Sequence, residues 1–309
     1  MAAHADFSGV IPPVVTPLTA DRELDRASLK RSIDRMIDRG VHGLFLLGSS
    51  SEVVFCTDSR RREIVETGIE AAAGRVPVLV GVIDAQTERM VEHARAAREL
   101  GADAVVATAP FYALGGPDEI EANFRAIREE VDLPLFAYDL PVCVHKKLDA
   151  DMLVRLGSEG VLAGVKDSSG DDVNFRFLVQ KNRAAGSPLK LFTGHEVVVD
   201  GAFLSGADGV VPGLGNVDPC GYVQQYKAYR EGDWDAVAQI QDRLALLMTI
   251  TSVTEGAVGF GAGVGAFKTA LQLLGVFETN QMPRPVRALE GGNVEAVRNV
   301  LVAAGMLAL

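Results

Sequence analysis

The chain has 309 residues, 48% of them apolar, and a formal net charge of −11 at pH 7. This length suffices for one large domain or two ordinary ones. The acidic balance argues against nucleic acids and anionic membrane surfaces as partners, because both attract basic patches. It leaves room for an acidic small-molecule substrate, since a few local hydrogen-bond donors can bind a carboxylate inside an acidic protein.

Three cysteines, Cys56, Cys143 and Cys220, are widely spaced and form no CxxC pair. This usage is typical of a reducing compartment and predicts neither disulfides nor a structural zinc site. The N-terminal sequence lacks the basic start and apolar core of a signal peptide, and no apolar run is long enough to span a bilayer. We therefore expect a cytoplasmic protein.

Short apolar runs bounded by turn residues recur up to residue 211 and indicate strands buried on both faces. They cover residues 9–17, 43–48, 76–82, 104–108, 133–138, 161–165, 191–193 and 208–211. Helical patterns lie between them, and several end at a glycine, which is a common helix C-cap. These helices cover residues 26–39, 58–73, 87–100, 117–130 and 150–157, and a further one begins near residue 173.

The spacing from strand to strand is roughly 30 residues for most units, which is the repeat of a β-loop-α unit. Eight such units predict a (β/α)8 barrel, the TIM-barrel fold of the α/β class. A doubly wound sheet is the competing fold, but the first strand–helix turn lacks a GxGxxG sequence. The glycine-rich residues 259–265 follow no predicted strand, so we interpret them as a loop and a helix start rather than a nucleotide site.

After residue 211 the pattern consists of helices alone, at residues 218–230, 234–250, 264–274 and 294–304. We predict a catalytic barrel over residues 1–230 and a C-terminal helical extension over residues 231–309 that packs on the barrel. No low-complexity linker separates the two parts, so we expect one compact unit.

Lys166 directly follows the buried run 161–165 and precedes turn residues that begin at Asp167. In a parallel barrel this position is the catalytic rim. A lysine that loses contact with water there favours the neutral amine, a nucleophile that can form a Schiff base with a ketone. The alternative is an ion pair with Asp167 or another acid. Lys146 and Lys147 are adjacent in a loop, and we interpret both as solvated.

Other polar residues follow the predicted strands and should converge on the same rim. The turn Ser49-Ser50-Ser51 offers backbone N–H groups and hydroxyls that suit a small carboxylate, although it could be an ordinary loop cap. Tyr138 ends the fifth strand, where its hydroxyl can transfer protons or merely bond to backbone. Tyr112 follows the fourth strand, and its alternative role is packing.

An amine, a phenol and a carboxylate-binding turn from different strands together indicate Schiff-base chemistry on a 2-oxo acid. The histidines show no HxxxH or HExxH spacing, and the sequence contains no GxSxG elbow. We therefore expect neither a metal ion nor an organic cofactor.

The sequence resembles the dihydrodipicolinate synthase / N-acetylneuraminate lyase family of class I aldolases from Gly9 to about Leu307. Five motifs carry the resemblance and occur in the same order as in the family. A lysine late in the chain and the Arg284-Pro285 region add to it. The five motifs are VVTPL at 14–18, GSSSE at 48–52, PFY at 110–112, YDLP at 138–141 and GVKDS at 164–168.

The resemblance implies a role for each matching residue. Lys166 would form the Schiff base with pyruvate or another 2-oxo acid, and Tyr138 would donate and accept protons beside it. Ser49 and Ser50 would bind the substrate carboxylate, with Ser50 also in a proton relay. Tyr112 would complete that relay across a subunit interface.

The family also implies an assembly and a further pocket group. Family members are usually tetramers built from dimers, so the resemblance implies a homotetramer. It also places the Val211 carbonyl near the substrate pocket.

Three departures from the family pattern weaken an assignment to lysine biosynthesis. Cys143 stands where dihydrodipicolinate synthases have an arginine that holds the carboxylate of aspartate semialdehyde, and a thiol cannot make that bidentate contact. Nearby His145 or Lys146 could replace it. Asp139 replaces an asparagine, and Ser51 replaces a glycine whose backbone freedom the turn could require.

We therefore predict a Schiff-base-forming lyase or aldolase that acts on pyruvate or on a 2-oxo acid such as a deoxy sugar acid. Dihydrodipicolinate synthesis from pyruvate and aspartate semialdehyde is one alternative, and dehydration of a 2-oxo-3-deoxy sugar acid is another. A non-enzymatic barrel that binds a 2-oxo acid is the alternative from a different class.

Overall fold

The computed structural model describes residues 7–308. Its centre is a single sheet of eight parallel strands in which sequence neighbours pair, and the first strand pairs with the last. The strands are β1 Gly9–Val10, β2 Leu44–Leu46, β3 Val78–Gly81, β4 Ala104–Thr108, β5 Leu135–Asp139, β6 Gly164–Asp167, β7 Lys190–Thr193 and β8 Gly209–Val210.

The barrel closes where the chain after β1 meets β2. Phe45 donates its N–H to the Pro12 carbonyl at 3.0 Å, and its own carbonyl accepts from Val14 N–H at 2.9 Å. The predicted (β/α)8 barrel is therefore confirmed. The first strand is much shorter than the predicted residues 9–17, because the prolines that follow Val10 lack the N–H that a ladder needs.

Helices alternate with the strands and cover the outside of the barrel. Those within the barrel are α1 Arg26–Asp38, α2 Asp58–Ala72, α3 Thr87–Leu100, α4 Pro117–Glu130, α5 Pro141–Val144, α6 Ala150–Ser158, α7 Asp172–Ala184, α8 Val199–Ser205 and α9 Pro219–Glu231. The sequence pattern missed α5 and α8, since each is too short to show helical periodicity.

Three further helices follow the barrel, as the sequence predicted. They are α10 Trp234–Met248, α11 Gly263–Leu273 and α12 Gly292–Ala303. The glycine-rich residues 259–265 form a loop and the start of α11, as expected. The Phe267 ring on α11 packs against Gly213 in the loop after β8, so the extension reaches the catalytic end of the barrel. The division at residue 230 stays a prediction.

The barrel interior is filled by apolar side chains from the strands. Phe136 on β5 makes an edge contact with Phe192 on β7, with ring centres 6.1 Å apart. Gly209 is required on β8, because a Cβ atom there would lie 2.1 Å from the Gly9 carbonyl oxygen. No helix within residues 7–308 is long and apolar enough to cross a bilayer.

Candidate active site

Lys166 and Tyr138 lie side by side at the C-terminal ends of β6 and β5. The register pairs the two residues directly, and both side chains are buried. The Lys166 nitrogen lies 4.0 Å from the centre of the Tyr138 ring and 5.1 Å from that of Phe45 on β2. The amine therefore sits among aromatic rings inside the barrel mouth.

Space for the Lys166 side chain depends on a glycine of the next strand end. A Cβ atom at Gly194, directly after β7, would lie 3.2 Å from Lys166 Cε and 2.0 Å from Ser168 Oγ. Within the described part of the chain, Lys166 forms no ion pair. Asp167 bonds instead to Lys147 and Ser169, so the alternative of a Lys166–Asp167 pair is not observed.

The turn after β2 brings serine hydroxyls to the same place. Ser49 Oγ lies 3.4 Å from the Tyr138 hydroxyl. Ser50 Oγ points to the loop after β8, where a Cβ atom at Gly213 would lie 3.2 Å from it. The N–H groups of Ser49 and Ser50 have no protein acceptor within residues 7–308. Two hydroxyls and two backbone donors thus face the mouth of the barrel.

Ser51 does not strain this turn, contrary to the concern that a glycine is needed there. The residue with left-handed backbone is Glu52, with φ of 60°. Ser51 is buried, donates its hydroxyl to the Val14 carbonyl and accepts from Gly48 N–H at 3.2 Å. Its own carbonyl accepts from the Thr16 hydroxyl at 2.9 Å. The serine therefore ties the turn to the chain that follows β1.

Glu52 forms a fully buried ion pair with Lys268 on α11, with the Nζ and Oε2 atoms 2.6 Å apart. The Lys268 nitrogen also donates to the Gln281 carbonyl at 3.0 Å. Burial raises the pKa of the Glu52 carboxyl and lowers the pKa of the Lys268 amine. The pair anchors the serine turn to the helical extension. From the sequence pattern, Lys268 was predicted to lie in a helix, with no partner assigned.

A second charged cluster lies directly beside the Lys166–Tyr138 pair. Lys147 donates to Asp139 at the end of β5 and, at 3.1 Å, to Asp167 at the end of β6. Both carboxylates are buried, and burial raises the pKa of Asp139 to about 6. The interpretation of Lys147 as merely solvated is therefore wrong, although a third of its side chain remains exposed.

Glu196 follows β7, and its carboxylate contacts the loop after β8. Its carboxylate accepts from Leu214 N–H at 2.7 Å and from the Tyr222 hydroxyl at 3.4 Å. Burial raises the pKa of Glu196, and the charge of Lys166 opposes that rise. Glu196 was assigned no role from the sequence. Its neighbour His195 instead pairs with Asp172 at 3.1 Å.

The remaining two predicted site residues differ in their surroundings. Val211, directly after β8, is buried and donates its N–H to the Thr193 carbonyl at 2.8 Å. Tyr112 is 94% exposed and has a left-handed backbone with φ of 73°. The single chain therefore does not bring Tyr112 to Tyr138.

The site thus combines a lysine at the end of β6, a tyrosine at the end of β5 and a serine turn after β2. A comparison with known protein families identifies the family to which this site belongs. The model of the Dihydrodipicolinate synthetase family matches residues 6–304. The chain belongs to this family.

Relatives within the family carry several activities. A 4-hydroxy-tetrahydrodipicolinate synthase from Phenylobacterium zucineum is 32% identical over 78% of this chain and 81% of its own length. The probable 2-dehydro-3-deoxy-D-pentonate aldolase YjhH of Escherichia coli is 29% identical over 97% of this chain and 98% of its own length. An uncharacterized DapA-like lyase of Halobacterium salinarum is 32% identical over 97% and 94%, respectively.

A solved structure of the family shows the same architecture. YagE, a prophage protein of Escherichia coli crystallised in complex with pyruvate, aligns with a TM-score of 0.92 and 26% sequence identity over 98% of this chain and 100% of YagE. Membership in the family confirms the expectation of a class I, Schiff-base-forming lyase or aldolase that acts on pyruvate or a related 2-oxo acid.

Proposed function

We propose that Lys166 is the residue that forms the Schiff base. The observation that carries this proposal is the position of its amine, held 4.0 Å from the Tyr138 ring at the barrel mouth and engaged in no ion pair within residues 7–308. An amine in such a place can attack the C2 carbonyl of pyruvate and form an imine with loss of water. The imine then withdraws electrons from C3 and allows an enamine to form.

Tyr138 and the serine turn supply the proton transfers and the carboxylate contact in this proposal. The centre of the Tyr138 ring lies 4.0 Å from the amine and the Tyr138 hydroxyl lies 3.4 Å from Ser49 Oγ, so the hydroxyl can accept or donate a proton near C2 and C4 of the substrate. Ser49 and Ser50 offer backbone N–H groups and hydroxyls to the substrate carboxylate. We also assign the Val211 carbonyl to this pocket, because the residue is buried and directly follows β8.

Tyr112 acts across a subunit interface in this proposal. An exposed tyrosine in a left-handed backbone conformation is strained without an evident gain in its own chain, and such strain is often kept for function. We place its hydroxyl in the relay of Tyr138 and Ser50 of a partner subunit, which requires at least a dimer. A homotetramer built from two such dimers satisfies this requirement.

The reaction in this proposal is an aldol cleavage or aldol addition in which the second substrate is not aspartate semialdehyde. The synthase reaction needs a cation for the carboxylate of aspartate semialdehyde. In dihydrodipicolinate synthases an arginine supplies it, and Cys143 stands at that position here. We also propose a cytoplasmic location, which the three free cysteines support because reducing compartments keep thiols unpaired.

Exchange of the pyruvate methyl protons in D2O tests the enamine directly. We expect the wild-type protein to replace these protons with deuterium, as followed by proton NMR, and Lys166→Met to abolish the exchange. Lys190→Met is the matched control, because Lys190 begins β7 at the opposite end of the barrel. Exchange that persists in Lys166→Met would remove Lys166 from the mechanism.

A further inference from the structure

A mostly apolar cavity of about 300 Å3 lies at the C-terminal ends of β2 to β5 and reaches the serine turn. Ser49, which contacts the Tyr138 hydroxyl, forms part of its wall. Leu140 and Cys143, just after β5, form another part. The cavity therefore adjoins the carbon atoms of a pyruvate imine that would react with a second substrate. Its other apolar walls come from Val53, Ile83, Phe111 and Phe260.

The composition of the wall restricts what can bind there. Among residues 7–308, no arginine, lysine, histidine, aspartate or glutamate lines the cavity. A carboxylate or phosphate buried there would lose its hydration without gaining a counter-charge. A chain of sugar hydroxyls would lose hydrogen bonds to water at each carbon without replacing them, which weakens binding with each hydroxyl buried. An apolar body loses nothing by this transfer and gains the hydrophobic contribution.

Cys143 lines the cavity at the position where dihydrodipicolinate synthases have an arginine. The residue is exposed, but the partial burial of its thiol raises the pKa of that thiol, and the nearby charge of Lys166 opposes the rise. A thiol is a weak hydrogen-bond group that packs as a small apolar side chain. The wall at this position therefore attracts apolar atoms.

Thr108 provides a second hydroxyl, besides that of Ser49, in the wall of this mostly apolar cavity. It lies at the end of β4 in direct register with Tyr138, which is itself in register with Lys166. Thr108 is buried, it lines the cavity, and within the described residues its hydroxyl has no hydrogen-bond partner. A buried hydroxyl without a partner is costly, and its position beside the cavity leaves it available to a ligand once the side chain turns toward the cavity. Three neighbouring strands thus present a hydroxyl, a phenol and an amine in one row.

We propose that the second substrate is an aldehyde with an apolar body, aliphatic or aromatic, whose oxygen bonds to the Thr108 hydroxyl. The corresponding product is a 4-hydroxy-2-oxo acid with an apolar substituent on C4. This inference rests on the proposed function of Lys166 and names the substrate class of the same site. The cavity volume lies at the lower end of the range for small-molecule sites, which suits a small aldehyde.

The cleavage of such an acid balances with the groups present. The Lys166 amine condenses with the C2 carbonyl, and one water leaves. The C4 hydroxyl gives its proton to Tyr138, the C3–C4 bond breaks, and its electron pair forms the enamine while the aldehyde leaves. Protonation of C3 and addition of one water release pyruvate and restore the amine. Condensation follows the same steps in reverse and needs no oxidant or reductant.

A panel of aldehydes incubated with pyruvate tests the proposal. The panel contains 3-methylbutanal, benzaldehyde, glyceraldehyde and aspartate semialdehyde, and the measured quantity is kcat/KM for formation of the 4-hydroxy-2-oxo acid. We expect the apolar aldehydes to exceed the polar ones by about tenfold or more. Equal rates, or a preference for glyceraldehyde or aspartate semialdehyde, would overturn the proposal.

Deuterium exchange into pyruvate alone separates this failure from failure of the proposed function. If pyruvate exchanges and the panel shows no apolar preference, only the substrate class is wrong. If pyruvate does not exchange, Lys166 chemistry itself fails and the inference falls with it.

Thr108→Val tests the proposed contact of the aldehyde oxygen, since it removes the hydroxyl and keeps the shape of the side chain. We expect kcat/KM for apolar aldehydes to fall by about tenfold while exchange into pyruvate is unchanged and the melting temperature is equal or higher. A hydroxyl that served only the fold would give the opposite result, a lower melting temperature with unchanged kcat/KM. Thr67→Val is the control, because the buried Thr67 hydroxyl bonds within helix α2.

Discussion

The side-chain nitrogen of Lys166 lies 4.0 Å from the centre of the Tyr138 ring, and the two residues are register partners on β6 and β5. The contact follows from strand pairing, since side chains at paired positions of parallel neighbours project from the same face of the sheet. The Tyr138 hydroxyl also lies 3.4 Å from Ser49 Oγ. A phenol is thus held between the amine and the serine turn.

Replacing Tyr138 with phenylalanine should remove the proton transfer and keep the fold. We expect turnover to fall by about 10²-fold or more, which is the typical contribution of a positioned acid–base group. Formation of the pyruvate imine should persist, because Lys166 is intact. Steady-state kinetics with circular dichroism measures both effects, with Tyr229→Phe on α9 as the control. Unchanged turnover in Tyr138→Phe would show that the phenol takes no part.

The Asp139 carboxyl should make stability depend on pH. Its pKa is about 6 in the folded protein against 3.8 ordinarily, because burial disfavours the charged form. The folded state therefore holds the proton more tightly than the unfolded state. This contribution to stability is fully present below pH 3.8 and is lost as the pH rises through about 6.

The Asp139→Asn variant isolates this effect. Between pH 4 and 7 the wild type should lose about 2–3 kcal/mol of unfolding free energy relative to the variant. Urea denaturation at several pH values measures the difference. The exposed Asp132→Asn serves as control, and a difference that stays constant with pH would refute the assignment.

The buried Glu52–Lys268 pair should be strongly coupled. Lys268→Met leaves the Glu52 carboxylate without a counter-charge, which costs about 3–5 kcal/mol for a buried pair. Combining it with Glu52→Gln should recover much of that loss, because no buried charge remains. Denaturation of both single variants and the double variant measures the coupling, and additive effects would argue against it. Lys30→Met, in an exposed pair with Glu70, should change stability by less than about 1 kcal/mol.

Mixed assemblies should show that Tyr112 serves a neighbouring subunit. We expect Tyr112→Phe and Lys166→Met each to be nearly inactive alone. Co-expression of the two variants should restore about a quarter of wild-type activity. Half of the dimers then contain one chain of each variant, and each such dimer has one complete active site out of two. Turnover of purified, co-expressed protein measures the restoration. No recovery in assemblies shown by mass spectrometry to be mixed would place the function of Tyr112 within its own chain.

Cys143→Arg should change which aldehyde the enzyme prefers. An arginine there supplies the cation that the apolar cavity lacks, and it occupies part of the apolar wall. We expect kcat/KM to rise for aspartate semialdehyde and to fall by about tenfold for apolar aldehydes. Cys220→Arg, far along the chain at the start of α9, controls for added charge. A parallel loss for both kinds of aldehyde would mean that the wall is only structural.

The eight strands and the position of Lys166 were predictable because each depends on a local pattern. Val161 to Val165 is a continuous apolar run, and the turn residues after Asp167 mark where it ends. A strand order in which neighbours pair then follows from the repeat of the units. Tyr138 was predictable for the same reason, since it ends its own apolar run.

The ion pairs around the site were not predictable because each joins residues that are distant in sequence. Nothing near Lys268 shows that it meets Glu52, since α11 reaches the serine turn only in the folded barrel. Lys147 looks like one of two loop lysines until α5 turns the chain back toward Asp139. The apolar cavity was missed likewise, because its walls come from five separate loops.

Trapping the imine tests the central claim most directly. The protein is incubated with pyruvate, reduced with borohydride, digested and mapped by mass spectrometry. We predict one pyruvyl adduct, located on Lys166 and absent from the Lys166→Met variant. A folded protein that gives no adduct, or an adduct on any other lysine, would contradict the account of the site.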